Sequence, residues 1–524
     1  TPIMLKALDL KCSEKDLVDK VFQSHQEVIK SYNISLDVFS RTDLKSNEYW
    51  VHKIYRGLQS QGLIDDIEKE QAYDEQQKMF LPDRYVKGTC PKCHALDQNG
   101  DNCEVCGATY SPCELLDPYS VVSDKKISFK PCPQLELNLE KRHDFLEKKV
   151  PSYSPKSILA KFHEWLDNPL KPWSISRYAP YHGVSVPDRD NQHFYVWFDA
   201  PIGYLSFFDE ALKKQGLKAE ELLTKDSPWE LVHFIGKDIA YFHGLFWPIL
   251  VDSVGLKVPS QLNIHGFLTI NGSKMSKSKG TFIEAERFRN LCHGDLLRYF
   301  LASKLSGQID DINFEVHEFI EKINSDIVGK FINIISRCSK LLFQYAQGRF
   351  SESHERKLHF EDVKSLEGQI DNLFKKRQYQ QICQIVMAKC DKINESISES
   401  QPWKTLKDRQ TFSMAHHQMT DILLAFEQLC YYLSPIMPET MLKLQSYFQD
   451  EAGLTKAYTP MINRLDKKQF KELSNMNTET SESSQSKTHA NVKEDLSHES
   501  QNWIKIDDFL KVDLRVAKIL EAQP

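Results

Sequence analysis

The feature that most constrains this chain is a set of four cysteines in C-P-K-C-H-A-L-D-Q-N-G-D-N-C-E-V-C, with Cys90, Cys93, Cys103 and Cys106 spaced C-x2-C-x9-C-x2-C. Two such pairs put four thiolates on two tight turns that can close a tetrahedron around Zn²⁺. The flanking residues suit turns: Pro91 inside the first pair, Gly107 after the second, and Asn99-Gly100 between them. A redox pair would need only one C-x-x-C. Asp97, Asn99 and Asp101 hint at a calcium loop, but the sixth position is Asn102 rather than Gly and the twelfth is Ala108 rather than Glu. A closed four-cysteine site is structural, and it is expected to staple a knuckle with little apolar core of its own. Cys113 lies outside the pattern and is expected to be dispensable.

A second stretch cannot bury itself. In Thr269–Thr281 (T-I-N-G-S-K-M-S-K-S-K-G-T), Lys274, Lys277 and Lys279 fall within six residues, with serines between them and Gly272 and Gly280 on either side. The plain reading is a solvated basic loop. The sharper one is a glycine-hinged loop whose ammonium groups fold over phosphate oxygens.

The remaining sequence bounds the alternatives. A chain of 524 residues is too long for one core and suggests about three or four domains. A hydrophobic content of 41% allows large cores. No apolar run approaches the roughly 18 residues of a membrane span; the most apolar neighbourhood, Leu231–Leu250, is broken by His233, Lys237, Asp238 and His243. No secretory n-region or h-region opens the chain, so a cytoplasmic protein is expected. The net charge of −6 gives no global field for nucleic acid, so any RNA contact must be local. The eight other cysteines, Cys12, Cys132, Cys383 and Cys430 among them, are scattered and read as small buried hydrophobes.

Taken in order, residues 1–65 read as helices, with Trp50, Ile54 and Leu58 at i, i+4 and i+8. His193–Tyr204 (H-F-Y-V-W-F-D-A-P-I-G-Y) reads as a buried strand ending in a turn. Leu231–Ile235 reads as a strand, Gly236 as its turn, and a helix starts near Asp238 with Ile239 and His243 on one face. Leu262–Ile270 reads as one further strand running into the lysine loop. This alternation predicts an α/β parallel sheet, with ligands at the carboxyl ends of its strands. From Asp326 the pattern turns helical: Ile327, Phe331, Ile334, Ile335 and Cys338 recur at helical spacing, and further helices are expected over 366–395 and 413–434. Residues 474–500, rich in serine and without an aromatic, read as a solvated linker.

The order K-M-S-K-S at Lys274–Ser278 resembles the signature loop of class I aminoacyl-tRNA synthetases. With F-Y-V-W-x-D-A-P-I-G-Y, H-F-I-G-K-D-I-x-Y-F-H, W-x-I-S-R and the four-cysteine knuckle, the whole chain resembles the bacterial methionyl-tRNA synthetases. The resemblance implies a Rossmann-type parallel sheet with a zinc-knuckle insertion, followed by an all-α anticodon-binding bundle. It implies a division into 1–45 (first half of the catalytic fold), 46–190 (insertion, knuckle at 90–106), 191–268 (second half), 269–325 (signature loop and stem-contact region), 326–473 (helical domain), 474–500 (linker) and 501–524 (start of an OB-type tRNA-binding domain).

Its implied chemistry is activation of L-methionine by ATP with magnesium, then transfer of the methionyl group to tRNA(Met). Lys277 and Lys274 would stabilise the departing pyrophosphate, with Arg177 near the reacting groups, although Tyr178 follows it where relatives carry an acid. Lys277, Ser276, Ser278, Gly236 and Asp238 would hold ATP. Trp197, Ala200, Pro201, Tyr204, Ile239 and His243 would hold methionine, since a thioether suits an aromatic slot. Asn333, Arg337 and Trp403 would read the anticodon by stacking and edge hydrogen bonds, with Trp403 as plain core the alternative. The resemblance further implies one structural zinc on Cys90, Cys93, Cys103 and Cys106, and a homodimer formed through the C-terminal domain.

Its other signature motif, His-Ile-Gly-His or a near variant, is expected upstream of T-P-I-M-L, which here begins at Thr1; His243-Gly244, His265-Gly266 and His293-Gly294 stand in other contexts. On that reading the chain is truncated at both ends, lacks the first strand, and is expected not to form adenylate. Two alternatives stay open: a class I synthetase for another apolar amino acid, and a non-catalytic zinc and tRNA-binding protein.

Overall fold

The computed structural model describes residues 3–474, apart from 4, 5, 8, 9, 101, 102, 104, 105, 107, 109, 179–182, 276–281, 353–356, 450 and 451. Residues 1–474 form one compact unit; the second, 475–524, lies outside the described residues, and with it the expected linker and OB-type segment.

Helices α1 (Glu14–Ser31) and α2 (Lys45–Ser60) open the chain. The Ser13 side chain accepts from the Asp16 N–H and caps α1. In α2 the i, i+4, i+8 reading holds: Trp50, Ile54 and Leu58 are fully buried. The Trp50 indole N–H also reaches Asp209 Oδ2 at 2.6 Å, tying α2 to a helix far along the chain.

A lobe built on antiparallel pairing follows. Strand β1 (Ile64–Asp74) is flanked by β2 (Met79–Phe80) and by β6 (Ser128–Leu137), against which it runs from Ile64↔Leu137 to Tyr73↔Ser128. Between them, β3 (Val86–Thr89) lies between β4 (Gln98–Asn99) and β5 (Leu116–Ser120). Asn99 therefore belongs to β4, and the turn expected at Asn99-Gly100 is a bend after it. Gly100 is fixed by close approach, since a Cβ there would meet the Asp83 carbonyl oxygen at 2.4 Å.

Helices α3 (His143–Tyr153) and α4 (Lys156–Leu166) lead to three short strands, β7 (Trp173–Ser174), β8 (Ser176–Tyr178) and β9 (Gln192–Phe194). The strand expected through Tyr204 stops at Phe194, and Val196–Leu212 is a helix, α5. Phe198, Ile202 and Leu205 recur at helical spacing and are buried, so the core takes a helical stripe from a run whose composition suits a strand. Pro201 lies inside α5; lacking an N–H, it releases the Trp197 carbonyl from the helical ladder.

Next come β10 (Val232–Gly236), a short 3₁₀ turn (Lys237–Ile239), a wide π turn (Phe242–Phe246) and α6 (Trp247–Ser253). The π turn has a local cause. Pro248 cannot donate to the Gly244 carbonyl, which instead accepts the Tyr153 hydroxyl at 2.7 Å. Strand β11 (Gln261–His265) pairs parallel with β10, from Val232↔Gln261 to Gly236↔His265. The single strand expected over 262–270 is two: β12 (Leu268–Ile270) joins another sheet, parallel to β14 (Ile312–Phe314). The break falls at Gly266, where a Cβ would sit 2.1 Å from the Asp310 carbonyl oxygen.

The C-terminal part is helical. A π-helix (Ile323–Phe331) runs into α7 (Ile332–Ala346); α8 (Glu367–Lys375), α9 (Tyr379–Ser400) and α10 (Phe412–Leu433) complete its main elements. Ile327, Phe331, Ile334, Ile335 and Cys338 are all fully buried, as their spacing predicts. The helix expected over 366–395 is divided at Arg377, which adopts φ 61. All twelve cysteines are free; Cys132, Cys338, Cys383, Cys390 and Cys430 are buried, whereas Cys12 is exposed. Among the described residues no helix is long and apolar enough to cross a membrane.

One core joins α2, α3, α4, α5, α6, β10 and β11, and a smaller one of Ala72, Leu81, Tyr85, Val86 and Leu115 lies in the antiparallel lobe.

Candidate functional site

The four cysteines converge. Their sulfurs lie within 4.8 Å of one another, with Cys90 Sγ 3.8 Å from Cys106 Sγ and Cys93 Sγ 3.5 Å from Cys103 Sγ. Thiolates about 2.3 Å from a central Zn²⁺ stand about 3.8 Å apart along a tetrahedron edge, so the set has the size of a metal cage. The N–H groups of Lys92 and Cys93 donate to Cys90 Sγ at 3.4 and 3.5 Å, and that of Cys106 to Cys103 Sγ at 3.4 Å. Burial opposes ionisation of Cys90, but those N–H groups and the neighbouring thiols outweigh it and bring its pKa down to about 6. The four thiols and the backbone N–H groups turned toward them fit a metal ion.

The residues expected to hold methionine come from α5 and the turn after β10. Trp197 and Tyr204 project from α5 seven residues apart, on one face. The Trp197 ring stacks on Phe242, with centroids 4.7 Å apart and planes inclined by 21°. Tyr204 and His243 meet at 2.9 Å between the hydroxyl and Nε2, and His243 Nδ1 is 3.0 Å from the Ile239 carbonyl. A carbonyl only accepts, so Nδ1 carries the proton and the Tyr204 hydroxyl donates to Nε2. Burial lowers the His243 pKa, opposed by that carbonyl. Ala200 is half-buried and Pro201 buried on the same helix.

Behind this group stand residues that sequence reasoning passed over. The Trp247 indole N–H donates to His233 Nε2 at 3.0 Å, and the His233 ring lies 4.9 Å from Tyr204 and 5.6 Å from His243. Burial, then the proximity of His243, pushes the His233 pKa down to about 3. Both histidines are thus neutral. The signal for His233 was its alternation with the buried Ile235 in a strand. Asp199, one residue before Ala200, is also buried. Its pKa is pushed up to about 7 by that burial against opposing backbone N–H groups, and its Oδ1 has no hydrogen-bond partner among the described residues.

At the carboxyl ends of β10 and β11, Gly236 pairs with His265. A Cβ at Gly236 would come within 2.6 Å of Asp238 Oδ1, so glycine leaves room for the exposed Asp238 carboxylate beside the strand end. Arg177 is engaged by its own strand region: it donates to Ser174 Oγ at 2.7 Å and the Ser176 carbonyl at 2.8 Å, with its Cζ 4.0 Å above the Tyr195 ring.

The start of the lysine stretch is a hairpin rather than a free loop. Strand β13 (Ser273–Lys274) folds back on β12 with Thr269↔Lys274 opposed, through Asn271 (φ 48) and Gly272 (φ 75). Two successive positive φ angles are what a tight two-residue hairpin needs, and Asn-Gly supplies them. Gly272 serves that turn rather than mobility. Ser276, Lys277 and Ser278 lie outside the described residues.

Asn333 and Arg337 lie one turn apart on α7, and Arg337 meets Trp403. Asn333 donates to Asn394 Oδ1 at 2.8 Å and Arg337 to Ser398 Oγ at 3.2 Å, and the Arg337 Cζ lies 5.3 Å from the centre of the Trp403 ring. Gln401, in the left-handed conformation (φ 45), turns the chain so that Pro402 starts a new helical turn carrying a half-buried Trp403.

The family description "tRNA synthetases class I (M)" matches residues 1–339. The chain belongs to the class I methionyl-tRNA synthetases. It is 36% identical to a methionine–tRNA ligase of Neisseria meningitidis serogroup A, over 100% of this chain and 79% of that protein. Against the serogroup B protein of the same name the identity is 35%, with the same coverage. Among solved structures, Mycobacterium tuberculosis methionyl-tRNA synthetase in complex with methionyl-adenylate superposes with a TM-score of 0.70 at 20% identity, covering 88% of this chain and 89% of that one. At that identity the likeness establishes a shared fold.

Proposed function

We propose that this protein is a methionine–tRNA ligase: ATP and L-methionine give methionyl-adenylate, and the methionyl group passes to tRNA(Met). The observation that carries the reading is the aromatic pocket closed by Tyr204, His243 and Ile239, with Trp197 stacked on Phe242. The hydroxyl and imidazole satisfy one another, and both ring nitrogens of His243 are engaged. With neither group left a hydrogen to donate, a carboxylate entering this slot would lose its own hydration without gaining a donor, whereas a thioether loses little.

Gly236 and Asp238 take the adenosine at the strand ends. Lys274 and Lys277, with Ser276 and Ser278, take the triphosphate and stabilise the pyrophosphate as it departs, and Arg177 works beside the reacting groups. ATP enters with magnesium. Cys90, Cys93, Cys103 and Cys106 hold one structural zinc, which braces the antiparallel lobe. Asn333, Arg337 and Trp403 read the anticodon, a guanidinium over an indole being a ready platform for an unpaired base. The division into a catalytic fold interrupted by 46–190, a helical domain over 326–473 and a tethered OB-type segment belongs to this reading, as do a cytoplasmic location and a homodimer.

The test is methionine-dependent ATP–pyrophosphate exchange and tRNA charging by the protein expressed from its gene. Exchange with another apolar amino acid but not with methionine would refute the substrate. Retained tRNA binding without any exchange would mark a non-catalytic zinc and RNA-binding protein. Trp403→Ala should slow charging about 10–100-fold, the worth of one stacked base, and leave exchange intact; loss of both would make Trp403 a core residue. tRNA binding should weaken as salt rises.

A further inference from the structure

Strand β10 has two faces. His233 and Ile235 are buried on one, and Phe234 on the other is 61% exposed. A cavity of about 560 Å³ opens on that second face, between β11, the end of α3 and the break between α8 and α9. None of the described residues assigned to methionine, ATP or the anticodon lines it.

Three features of the lining point to a ligand. Among the described residues the lining contains no aspartate or glutamate, in a chain with 73 acidic residues against 67 lysines and arginines, yet it includes Lys376 and Arg377. The Arg377 guanidinium is placed: its NH1 donates to the carbonyls of Phe374 and Lys375, both at 2.9 Å, and its Cζ lies 5.3 Å from the centre of the Phe234 ring. That leaves three of its five N–H donors for other acceptors. Ser154 Oγ, also in the lining, is buried with no hydrogen-bond partner among the described residues, and a buried hydroxyl without a partner is costly.

We infer that this cavity is a second small-molecule site, for a flat aromatic compound bearing one anionic group. Phe234 and the leucines of the lining take the ring system, and Arg377, with Lys376 beside it, takes the anion. The volume is in the range of small-ligand sites, which combine mostly apolar walls with a few placed polar groups. The site lies where the β10–β11 pair meets the helical part: the Gln380 N–H donates to the Leu305 carbonyl at 2.9 Å, and Leu305 and Arg377 both line the cavity.

The probe is 8-anilinonaphthalene-1-sulfonate, followed by fluorescence titration of the whole protein, with N-phenyl-1-naphthylamine as the uncharged counterpart. We expect saturable binding of one sulfonate per chain. Leu305→Trp should weaken both probes at least about tenfold by filling the space. Arg377→Gln should weaken the sulfonate about tenfold or more, the range for a lost charge-assisted hydrogen bond, and leave the uncharged probe unchanged. Soaking crystals with a brominated naphthalenesulfonate then locates the ligand by its anomalous signal, which requires no variant to fold. Sulfonate binding unchanged in both variants, equal effects of Arg377→Gln on the two probes, or bromine density only outside the Phe234–Arg377 cavity would each overturn the proposal.

Discussion

The cysteine knuckle and the Trp197–His243 pocket are both small clusters of polarisable groups, and they are held in opposite ways. In the knuckle's lobe the separate core comprises Ala72, Leu81, Tyr85, Val86 and Leu115, with Met79, Tyr110, Ile127 and Phe129 packed against it. That is little with which to fix four sulfurs by packing, so on the proposed reading a shared ion defines their positions. The Trp197–His243 cluster rests on the main core, with Phe198, Phe246 and Trp247 fully buried behind it, and Tyr204 and His243 are already paired with one another. On the proposed reading, one site is completed by its ligand and the other is shaped without one. A structural site can depend on a metal that stays bound, whereas a recognition site that must discriminate has to be shaped beforehand.

The largest expected effect follows from that dependence. Removing the metal, by chelation or by Cys103→Ser, should take away one zinc per chain and unfold the lobe around 85–120. Structural zinc in small domains contributes about 10–16 kcal/mol of apparent folding energy at neutral pH. Hydrogen exchange should show β3, β4 and β5 losing protection while β10, β11 and α6 keep theirs. Elemental analysis finding no zinc in protein purified without chelators would remove the assignment. Exchange that rises equally in both regions would erase the contrast between them.

The same contrast explains what could be read in advance. Metal chemistry dictates spacing along the chain, so the knuckle is legible from four cysteines alone. So is the burial of Trp50, Ile54 and Leu58, or of Ile327 through Cys338, because helical period and a core-facing stripe are one fact. The pocket is different. Its members come from a helix and a turn 35 or more residues apart, and each aromatic alone reads as packing. Only the resemblance to the synthetases grouped Trp197, Tyr204 and His243. Composition misled at Tyr195–Tyr204, where aromatic and β-branched residues suggest a strand but the core takes every third or fourth side chain of a helix. Asn271-Gly272 was a readable hairpin signal, hidden behind the charge of the lysines that follow. His233 and Asp199 could not be recognised because their roles depend on burial, which a single sequence does not display.

A middle-sized effect tests whether the pocket is shaped by packing. Trp247 is fully buried and its indole N–H holds His233. Trp247→Ala should cost about 3–5 kcal/mol of stability through the cavity it leaves, seen as a lowered urea midpoint. Methionine affinity should fall with it, because Tyr204 and His243 lose the surface behind them. Zinc content should stay at one per chain, the converse of the chelation experiment. Loss of zinc together with the pocket would mean that the two regions stand or fall as one.

The smallest effect concerns protons in the pocket wall. His233 titrates near 6.5 when unfolded and at about 3 when folded. Its contribution to stability is therefore complete above about pH 6.5 and is lost as pH falls toward 3. Asp199 moves the other way, from its ordinary 3.8 to about 7. The unfolded carboxyl gives up its proton first, so its contribution is complete below about pH 3.8 and is lost as pH rises through 7. Between about pH 4.5 and 6 folding releases one proton from His233 and takes up one on Asp199, and the two slopes cancel. Asp199→Asn removes only the second, so the variant should gain a slope of about 1.4 kcal/mol per pH unit relative to the parent, stability rising with pH. Urea midpoints at pH 5 and 6.5 should then separate the two proteins by about 2 kcal/mol in their change of stability. Equal slopes would mean that Asp199 titrates near its ordinary value, and hence that water reaches the wall behind Tyr204. The pocket would then owe its shape to hydration as well as to packing, and its contrast with the knuckle would narrow to the identity of the bound partner.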